Sequence, residues 1–202
     1  MSPSNFFALI LRMKFIDRWG LMRGSFSDDL EEHCFETAVI AHCLCTIGNT
    51  VYHRQLDAGR CAVLALYHDA TEILTGDMPT PVKYYNPALR AMYQEVEDAA
   101  ARQLVSQLPD EMRPVYEEIF SQSGEGDEAL RPYVKAADRL AALIKCIQEE
   151  NSGSREFSGA KAASLKALEQ SPLPETEYFI EHFLPAFSMN LQQLTLGDPS
   201  DH

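Results

Sequence analysis

Residues 61–72 place three ionisable side chains in a stretch that otherwise has the composition of a buried helix. The first six residues of the stretch are apolar, and His68, Asp69 and Glu72 follow them closely. Ionisable groups enter apolar surroundings mainly when they are paired, hydrogen-bonded or bound to a metal. The stretch therefore predicts a helix that crosses the interior and contributes part of a metal site, with its partners elsewhere in the chain.

Helical periodicity and helix-capping residues recur along the chain and predict an all-α fold. No segment alternates apolar and polar residues with the period of two that marks a strand. In the long helix near the C-terminus, the predicted inner face is Leu130, Val134, Ala137, Ala141, Ile144 and Ile147. In the helix that opens at Asn86, the predicted apolar stripe is Leu89, Met92, Val96, Ala99 and Leu104. The predicted helices cover about 5–16, 29–47, 58–75, 87–108, 110–120, 129–150, 159–170 and 176–184.

The length and charge of the chain narrow its class. Its 202 residues suit a single domain over 1–202, with a core at about 5–187 and a loose polar tail at 191–202. A net charge of −13 argues against a partner that is a nucleic acid polymer, because phosphate backbones need a basic surface.

The cysteines and the N-terminal sequence indicate a cellular location. The five cysteines form no CxxC pair and lie among apolar neighbours, which is typical of reduced thiols. The apolar run 6–11 precedes its basic residues, Arg12 and Lys14, which is the reverse of a signal peptide. No apolar stretch reaches the roughly 18 residues that span a bilayer. We therefore expect a cytoplasmic protein without membrane contact.

Three predicted helices each bring an unusual polar group inward. His33 lies near the start of the second helix, His68 and Asp69 are adjacent in the third, and Asp138 lies on the inner arc of the long helix. Two imidazoles and two carboxylates suit a first-row divalent metal. Glu72 follows His68 by one helical turn and is suited to proton transfer beside the metal without being a ligand.

Each of these residues also has an ordinary structural explanation. His33 suits an exposed helix start, and Asp138 suits a salt bridge to Lys135 or Arg139. Arg18-Trp19 suits a helix end that covers the core, and Glu72 suits a hydrogen-bonding partner of a ligand. The residue pattern taken alone leaves these alternatives open.

The ordered set of His33, His68-Asp69 and Asp138 resembles the signature of the HD-domain metal-dependent phosphohydrolases. Two further motifs, Arg18-Trp19 and the loop at residues 75–80 with the sequence Thr-Gly-Asp-Met-Pro-Thr, resemble those of the bacterial HD-domain 5′-deoxynucleotidases. The likeness runs from about residue 6 to residue 187. It implies an HD-domain helical bundle, a homodimer, and hydrolysis of 2′-deoxyribonucleoside 5′-monophosphates to deoxynucleoside and phosphate.

The resemblance also implies roles for particular residues. Glu72 would be the general acid/base, and Arg18 would orient the phosphate. Trp19 would pack near the sugar and phosphate, and Asp77 would lie near the 3′-hydroxyl. One divalent ion, such as Co²⁺ or Mn²⁺, would be held by His33, His68, Asp69 and Asp138. The implied substrate contacts are Arg18, Trp19, His33, Asp69, Asp77, Met78, Pro79, Thr80 and Asp138.

Two other functions remain compatible with the HD motif. One is a hydrolase of nucleoside triphosphates or cyclic phosphodiesters, although triphosphates require more basic residues than the motifs contain. The other is a nucleotide sensor without catalysis, although the complete set of expected ligands together with Glu72 argues against an inactive site.

Overall fold

The computed structural model describes residues 3–83 and 85–196, apart from the side chains of Thr80 and Pro81. It is all-α as predicted, and an isolated antiparallel bridge joins Asp17 to Asp29. Short 3₁₀ segments cover Met13–Phe15 and Leu184–Ser188. The α-helices are α1 (Phe6–Ile10), α2 (Leu30–Thr50), α3 (Ala58–Leu66), α4 (Glu72–Thr75), α5 (Thr80–Lys83), α6 (Pro87–Val105), α7 (Arg113–Ser121), α8 (Asp127–Asn151), α9 (Ser158–Glu169), α10 (Pro174–His182) and α11 (Leu191–Leu196).

The helices α2, α3 and α8 pack against one another and form the centre of the fold. Leu44, Leu64 and Leu140 are fully buried where the three helices meet. Every residue of the predicted inner face of α8 is buried, which confirms the periodicity argument for that helix. Each of the three helices leads to a residue of the predicted metal site, so the core and the site share one framework.

The predicted continuous helix over residues 58–75 is wrong. Helix α3 ends at Leu66 and α4 begins at Glu72, so His68 and Asp69 lie in a turn between two helices. In an uninterrupted helix the Ala65 carbonyl would accept the N–H four residues later, at Asp69. It accepts instead from Nδ1 of the His68 ring, at 2.7 Å, and Glu72 N–H bonds to the Asp69 carbonyl at 2.9 Å. The helix is therefore interrupted where the His68 ring donates to the Ala65 carbonyl.

Tertiary contacts also correct the ends of other predicted helices. The predicted helix over 5–16 is two short pieces, α1 and the 3₁₀ segment that follows it. Helix α2 continues through Gly48, where the sequence predicted a stop. A Cβ at Gly48 would lie 2.9 Å from a Leu56 methyl and 3.0 Å from Glu175 Oε1. This glycine therefore serves close packing in the helix interior and not helix termination.

The structure also differs from the sequence-based prediction at α5, at α6 and in the C-terminal tail. The apolar stripe predicted for α6 is wrong in part, because Met92 is 65% exposed and Val96 is 50% exposed. The helix packs instead through Tyr93, Ala100 and Leu104. Helix α5 lies where two prolines predicted a loop, and α11 lies within the predicted loose tail. Across 3–83 and 85–196, no helix is both long enough and apolar enough to cross a bilayer.

An ion pair joins the starts of α3 and α8, the helices that lead to His68 and Asp138. Arg60 donates to both carboxylate oxygens of Asp127, at 2.8 and 2.7 Å, and Gly124 N–H donates to the same carboxylate at 2.8 Å. Asp127 is fully buried. The bonds from Arg60 have the largest effect on the pKa of Asp127, and together with the Gly124 bond they hold it below its ordinary value.

We expect Asp127→Asn to lower the free energy of unfolding by about 2 kcal/mol at pH 7, because it removes a buried charge-assisted pair. A lowered folded-state pKa gives stability above the unfolded pKa of about 4, and that stability is lost as the pH falls further. Urea unfolding followed by circular dichroism between pH 3 and pH 7 measures both effects. Equal stability of the variant and the parent at pH 7 would contradict this prediction.

Asp110→Asn is the matched control. Asp110 pairs with Arg113 at 2.6 Å, but its side chain is 88% exposed. Exposed pairs contribute about 0–1 kcal/mol, so this variant should unfold close to the parent.

Candidate metal and substrate site

Three segments bring the predicted ligands together in the interior. His33 lies in the first turns of α2, after the Asp29 side chain caps that helix by accepting the Glu32 N–H at 2.9 Å. His68 lies in the turn after α3, and Asp138 lies midway along α8. One ligand atom from each of His33, His68 and Asp138 lies within 4.8 Å of the other two. Residues far apart in the sequence thus form a single polar cluster.

Asp69 completes this cluster. Its Oδ2 lies 3.0 Å from His68 Nε2 and 3.6 Å from His33 Nε2. Asp138 Oδ1 lies 3.3 Å from the same His33 nitrogen. Asp69 thus contacts both histidines of the group formed by His33, His68 and Asp138, with carboxylate oxygens facing imidazole nitrogens.

The donor atoms fit a divalent cation. Nε2 of His33 and Nε2 of His68 are both buried, and neither has a hydrogen-bond partner among the residues that the structure describes. Since a carbonyl only accepts, the bond to Ala65 shows that His68 Nδ1 carries a proton, so Nε2 is the nitrogen that can offer its lone pair to a metal once the ring is neutral. Two orphaned imidazole nitrogens beside two carboxylates are a typical donor set for a first-row metal.

The electrostatics of the cluster keep both carboxylates charged. Burial by itself would raise the pKa of Asp69 and Asp138. At Asp69 the nearby His68, His33 and Arg18 together outweigh burial, and at Asp138 the nearby His33 and His68 together do so, and both pKa values therefore lie below the ordinary value. Both groups are thus ionised at neutral pH, the form in which carboxylates bind metals.

The two imidazoles respond to their surroundings in opposite directions. Burial lowers the pKa of His33, and the nearby carboxylate of Asp138 opposes burial only in part. Burial also lowers the pKa of His68, but the Asp69 carboxylate outweighs it and holds that pKa well above its ordinary value. A divalent cation bound at Nε2 of His68 would take the place of the proton that this nitrogen carries when the ring is charged.

Glu72 lies beside the cluster but outside the ligand set. It is the first residue of α4, is buried, and has one carboxylate oxygen without a partner. Burial raises the pKa of Glu72 to about 9, and the negative charges of Asp69 and Asp77 add to the shift. The carboxyl is therefore protonated at neutral pH, as a general acid must be.

Arg18 faces the cluster from the loop before α2. Its Nη1 lies 3.6 Å from Asp69 Oδ2 and its Nε lies 3.5 Å from Asp28 Oδ2. The side chain is only 11% exposed, and Nε has no hydrogen-bond partner within residues 3–83 and 85–196. A buried guanidinium with unfilled donors beside a cation site is suited to bind an oxyanion.

The other predicted substrate residues lie in two loops. The Trp19 indole packs edge-on against Phe157, with ring centroids 5.4 Å apart. Asp77 acts on the site through its charge, which raises the pKa of Glu72. Met78 and Pro79 are partly buried in the same loop. The side chain of Thr80 lies outside the described residues.

A cleft of about 590 Å³ extends from the cluster between α6 and α8. This volume lies within the range of about 300–1,000 Å³ that small-molecule sites occupy. His68, Asp69 and Asp138 line its inner end. The outer lining is mostly polar and charged, and includes Lys83, Gln94, Glu97, Arg131 and Lys135.

The sequence analysis missed two residues at this site, Lys83 and Asp28. Lys83 lines the cleft and pairs with Glu97 at 2.7 Å. Asp28 contacts both Arg18 and Trp19. The sequence does contain an indication of this role for Asp28. Two consecutive aspartates precede α2, and a helix N-cap requires only one of them.

Comparisons with known proteins agree with this geometry. The family described as 5′-deoxynucleotidase YfbR-like matches residues 5–187. A 5′-deoxynucleotidase of Klebsiella pneumoniae is 40% identical over 199 residues, which cover 98% of this chain and all of that protein. The 5′-deoxynucleotidase YfbR of Salmonella paratyphi B matches with the same identity and coverage.

Solved structures share the fold. An HD-domain phosphohydrolase from Listeria innocua superposes with a TM-score of 0.77 at 21% identity, over 96% of this chain and 90% of that one. The HD phosphohydrolase of cyanophage S-2L, solved with dA and one catalytic Zn²⁺ ion, has a TM-score of 0.60 at 20% identity. The superposition covers 88% of this chain and 95% of the cyanophage chain.

The fold is that of HD-domain phosphohydrolases of known structure, and the cluster of histidines and aspartates lies within it. Within that class the chain belongs to the YfbR-like 5′-deoxynucleotidase family. Both the predicted fold and the predicted enzyme, a 5′-deoxynucleotidase, are therefore confirmed.

We expect His33→Ala and Asp138→Asn each to weaken binding of Co²⁺ or Mn²⁺ by about a hundredfold or more, since even loss of a ligand's hydrogen-bonding partner costs about ten- to a hundredfold. His42→Ala, at an exposed position of the same helix α2, should bind like the parent. Isothermal titration calorimetry on metal-stripped protein measures the affinity and stoichiometry. Unchanged binding in the first two variants would exclude the cluster as the metal site.

Proposed function

We propose that this enzyme hydrolyses 2′-deoxyribonucleoside 5′-monophosphates to deoxynucleoside and phosphate at the cluster of His33, His68, Asp69 and Asp138. The observation that carries the proposal is the position of Arg18. Its guanidinium has unfilled donors and lies 3.6 Å from Asp69, one of the four cluster residues. Membership of the YfbR-like family and the dA-bound cyanophage relative support this substrate class.

We infer that one first-row divalent ion, Co²⁺ or Mn²⁺, is the cofactor, held by these four residues. A single ion agrees with the sequence, which has no histidine between His68 and His182 to complete a second site. A relative of the same fold, the cyanophage enzyme, is described with one Zn²⁺ ion. When bound, such an ion supplies polarisation of a phosphate oxygen and a lower pKa for the attacking water.

Arg18 is the proposed phosphate-binding residue. A guanidinium presents two parallel N–H groups that match two phosphate oxygens, a geometry that lysine lacks. Charge that develops on the phosphate during hydrolysis lies in a buried, weakly screened place, where a fixed cation stabilises it strongly. Trp19 would pack against the sugar, and residues 77–80 would enclose it, with Asp77 near the 3′-hydroxyl.

Glu72 is the proposed general acid/base. Its protonated carboxyl at neutral pH can donate a proton to the departing 5′-oxygen, so that the deoxynucleoside leaves as an alcohol and not as an alkoxide. The resulting carboxylate is then positioned to take a proton from water in the next cycle.

We further propose that the chain is a single HD domain over 1–202 that acts in the cytoplasm as a homodimer and has no nucleic acid polymer as partner. The five free cysteines support a reducing compartment. Exposed apolar side chains near the N-terminus, Phe7, Leu11 and Phe15, support self-association. The net charge of −13 opposes polymer binding. Sedimentation velocity at micromolar concentration measures the oligomeric state, and a monomer would refute the dimer.

A substrate panel tests the proposed activity. We expect phosphate release from deoxynucleoside 5′-monophosphates with Co²⁺ or Mn²⁺, and markedly less from the matched ribonucleotides, because Trp19 and Asp77 select the sugar. Deoxynucleoside triphosphates and cyclic dinucleotides should release no phosphate. Turnover of triphosphates or cyclic diesters in place of monophosphates would overturn the proposal, and full metal binding without turnover of any nucleotide would favour a sensor.

We expect Glu72→Ala and Glu72→Gln to lower kcat by about a hundredfold or more while metal affinity stays close to that of the parent. Glu95→Ala, at an exposed position of α6, is the control for loss of a carboxylate. Since Glu72 acts when protonated, parent activity should fall as the pH rises through the pKa of about 9. The pH profile of kcat in the Gln variant should lack that fall, and near-parental turnover would exclude the role.

A further inference from the structure

One carboxylate oxygen holds both residues of the Arg18-Trp19 motif. Oδ2 of Asp28 accepts the indole N–H of Trp19 at 2.9 Å and lies 3.5 Å from Arg18 Nε. The side chain of Asp28 is only 13% exposed, so solvent screens this charge weakly. Asp28 is therefore in a position to set the orientation of both neighbours together.

Asp28 has no part in starting α2. The N-cap of that helix is Asp29, which accepts the Glu32 N–H. Substitution of Asp28 therefore leaves the cap in place, and the two consecutive aspartates have separate tasks.

The backbone around Asp28 closes the loop into a fixed shape. Arg18 N–H donates to the Asp28 carbonyl at 2.9 Å, and Leu30 N–H donates to the Ile16 carbonyl at 3.0 Å. Trp19 has a positive φ of 58°, a conformation that costs a bulky residue about 1–3 kcal/mol. Such strain persists only where surrounding contacts determine the conformation, and the indole bond to Asp28 is one of those contacts.

The far side of the loop is anchored on α8. Lys145 Nζ donates to the Phe26 carbonyl at 3.0 Å, and Ser25 N–H donates to Glu149 at 2.7 Å. These bonds hold the backbone of the loop against the helix that carries Asp138. They do not touch the side chains of Arg18 or Trp19, whose shared polar neighbour is Asp28.

Arg18 lies between two carboxylates, Asp28 and Asp69, at nearly equal distances of 3.5 and 3.6 Å. The attraction of Asp28 for the guanidinium therefore opposes that of Asp69.

We propose that Asp28 is a positioning residue for hydrolysis, which holds Arg18 and Trp19 in the orientation that receives the sugar and phosphate of the substrate. This inference rests on the proposed function of the site. Preorganised groups contribute to catalysis through geometry, and a misplacement of about 1 Å can cost about a hundredfold in rate.

The test compares Asp28→Ala and Asp28→Asn with Asp17→Asn, an exposed aspartate near the start of the same loop. Trp19 is the only tryptophan in the chain, so intrinsic fluorescence reports its surroundings directly. In Asp28→Ala we expect shifted emission, a fall of about a hundredfold in kcat/KM for dAMP, and reduced discrimination against AMP. Asp28→Asn keeps an acceptor oxygen for the indole and should fall by about tenfold, while Asp17→Asn should match the parent.

Unchanged emission together with kcat/KM within about twofold of the parent in Asp28→Ala would overturn the proposal. So would a loss of activity that accompanies a lowered melting temperature while discrimination against AMP is unchanged, since that indicates a purely structural role. If the parent hydrolyses no deoxynucleotide, the proposed function fails separately. Calorimetric affinity for dAMP then decides the role of Asp28: weaker binding by Asp28→Ala supports it, and equal binding refutes it.

Discussion

The structure depends on keeping two imidazoles and two carboxylates together where the three central helices meet. Removing such groups from water is costly unless each has a partner, and here the partners come from three segments: α2, the turn after α3, and α8. The mutual attraction of His33, Asp69, His68 and Asp138 therefore couples the three central helices. A displacement of any one helix would leave a charge buried without its partner.

The turn at residues 67–71 follows from the same constraint. A straight helix would point His68 and Asp69 about 100° apart, whereas both side chains reach one point here. The bond from the His68 ring to the Ala65 carbonyl redirects an acceptor that an uninterrupted helix would use and fixes which ring nitrogen faces the cluster. Local loss of helical bonding thus positions the chemical group. Glu72, which restarts the helix, remains buried beside it and stays protonated.

Side-chain periodicity predicted most of the architecture because burial of one helix face leaves a direct mark on the sequence. The inner face of α8 and the capping roles of Asn86 and Asp57 follow from local rules. The same reasoning failed for α6, where Met92 and Val96 are apolar yet exposed, because an apolar residue records only the possibility of burial. It also failed at Gly48, whose missing side chain makes room for Leu56 and Glu175. These two residues come close to Gly48 only when the chain folds.

The sequence by itself determined the fold class, the family and the identity of the four residues proposed as ligands, because helical period and motif spacing are local properties of the chain. Only the tertiary structure decided that those residues meet, that the helix between Leu66 and Glu72 unwinds, and that Asp28 holds Arg18 and Trp19. It also decided the charge state of Glu72, since a raised pKa results from burial and from the nearby Asp69 and Asp77. Distances between residues remote in sequence, and the desolvation that accompanies packing, exist only once the chain is folded.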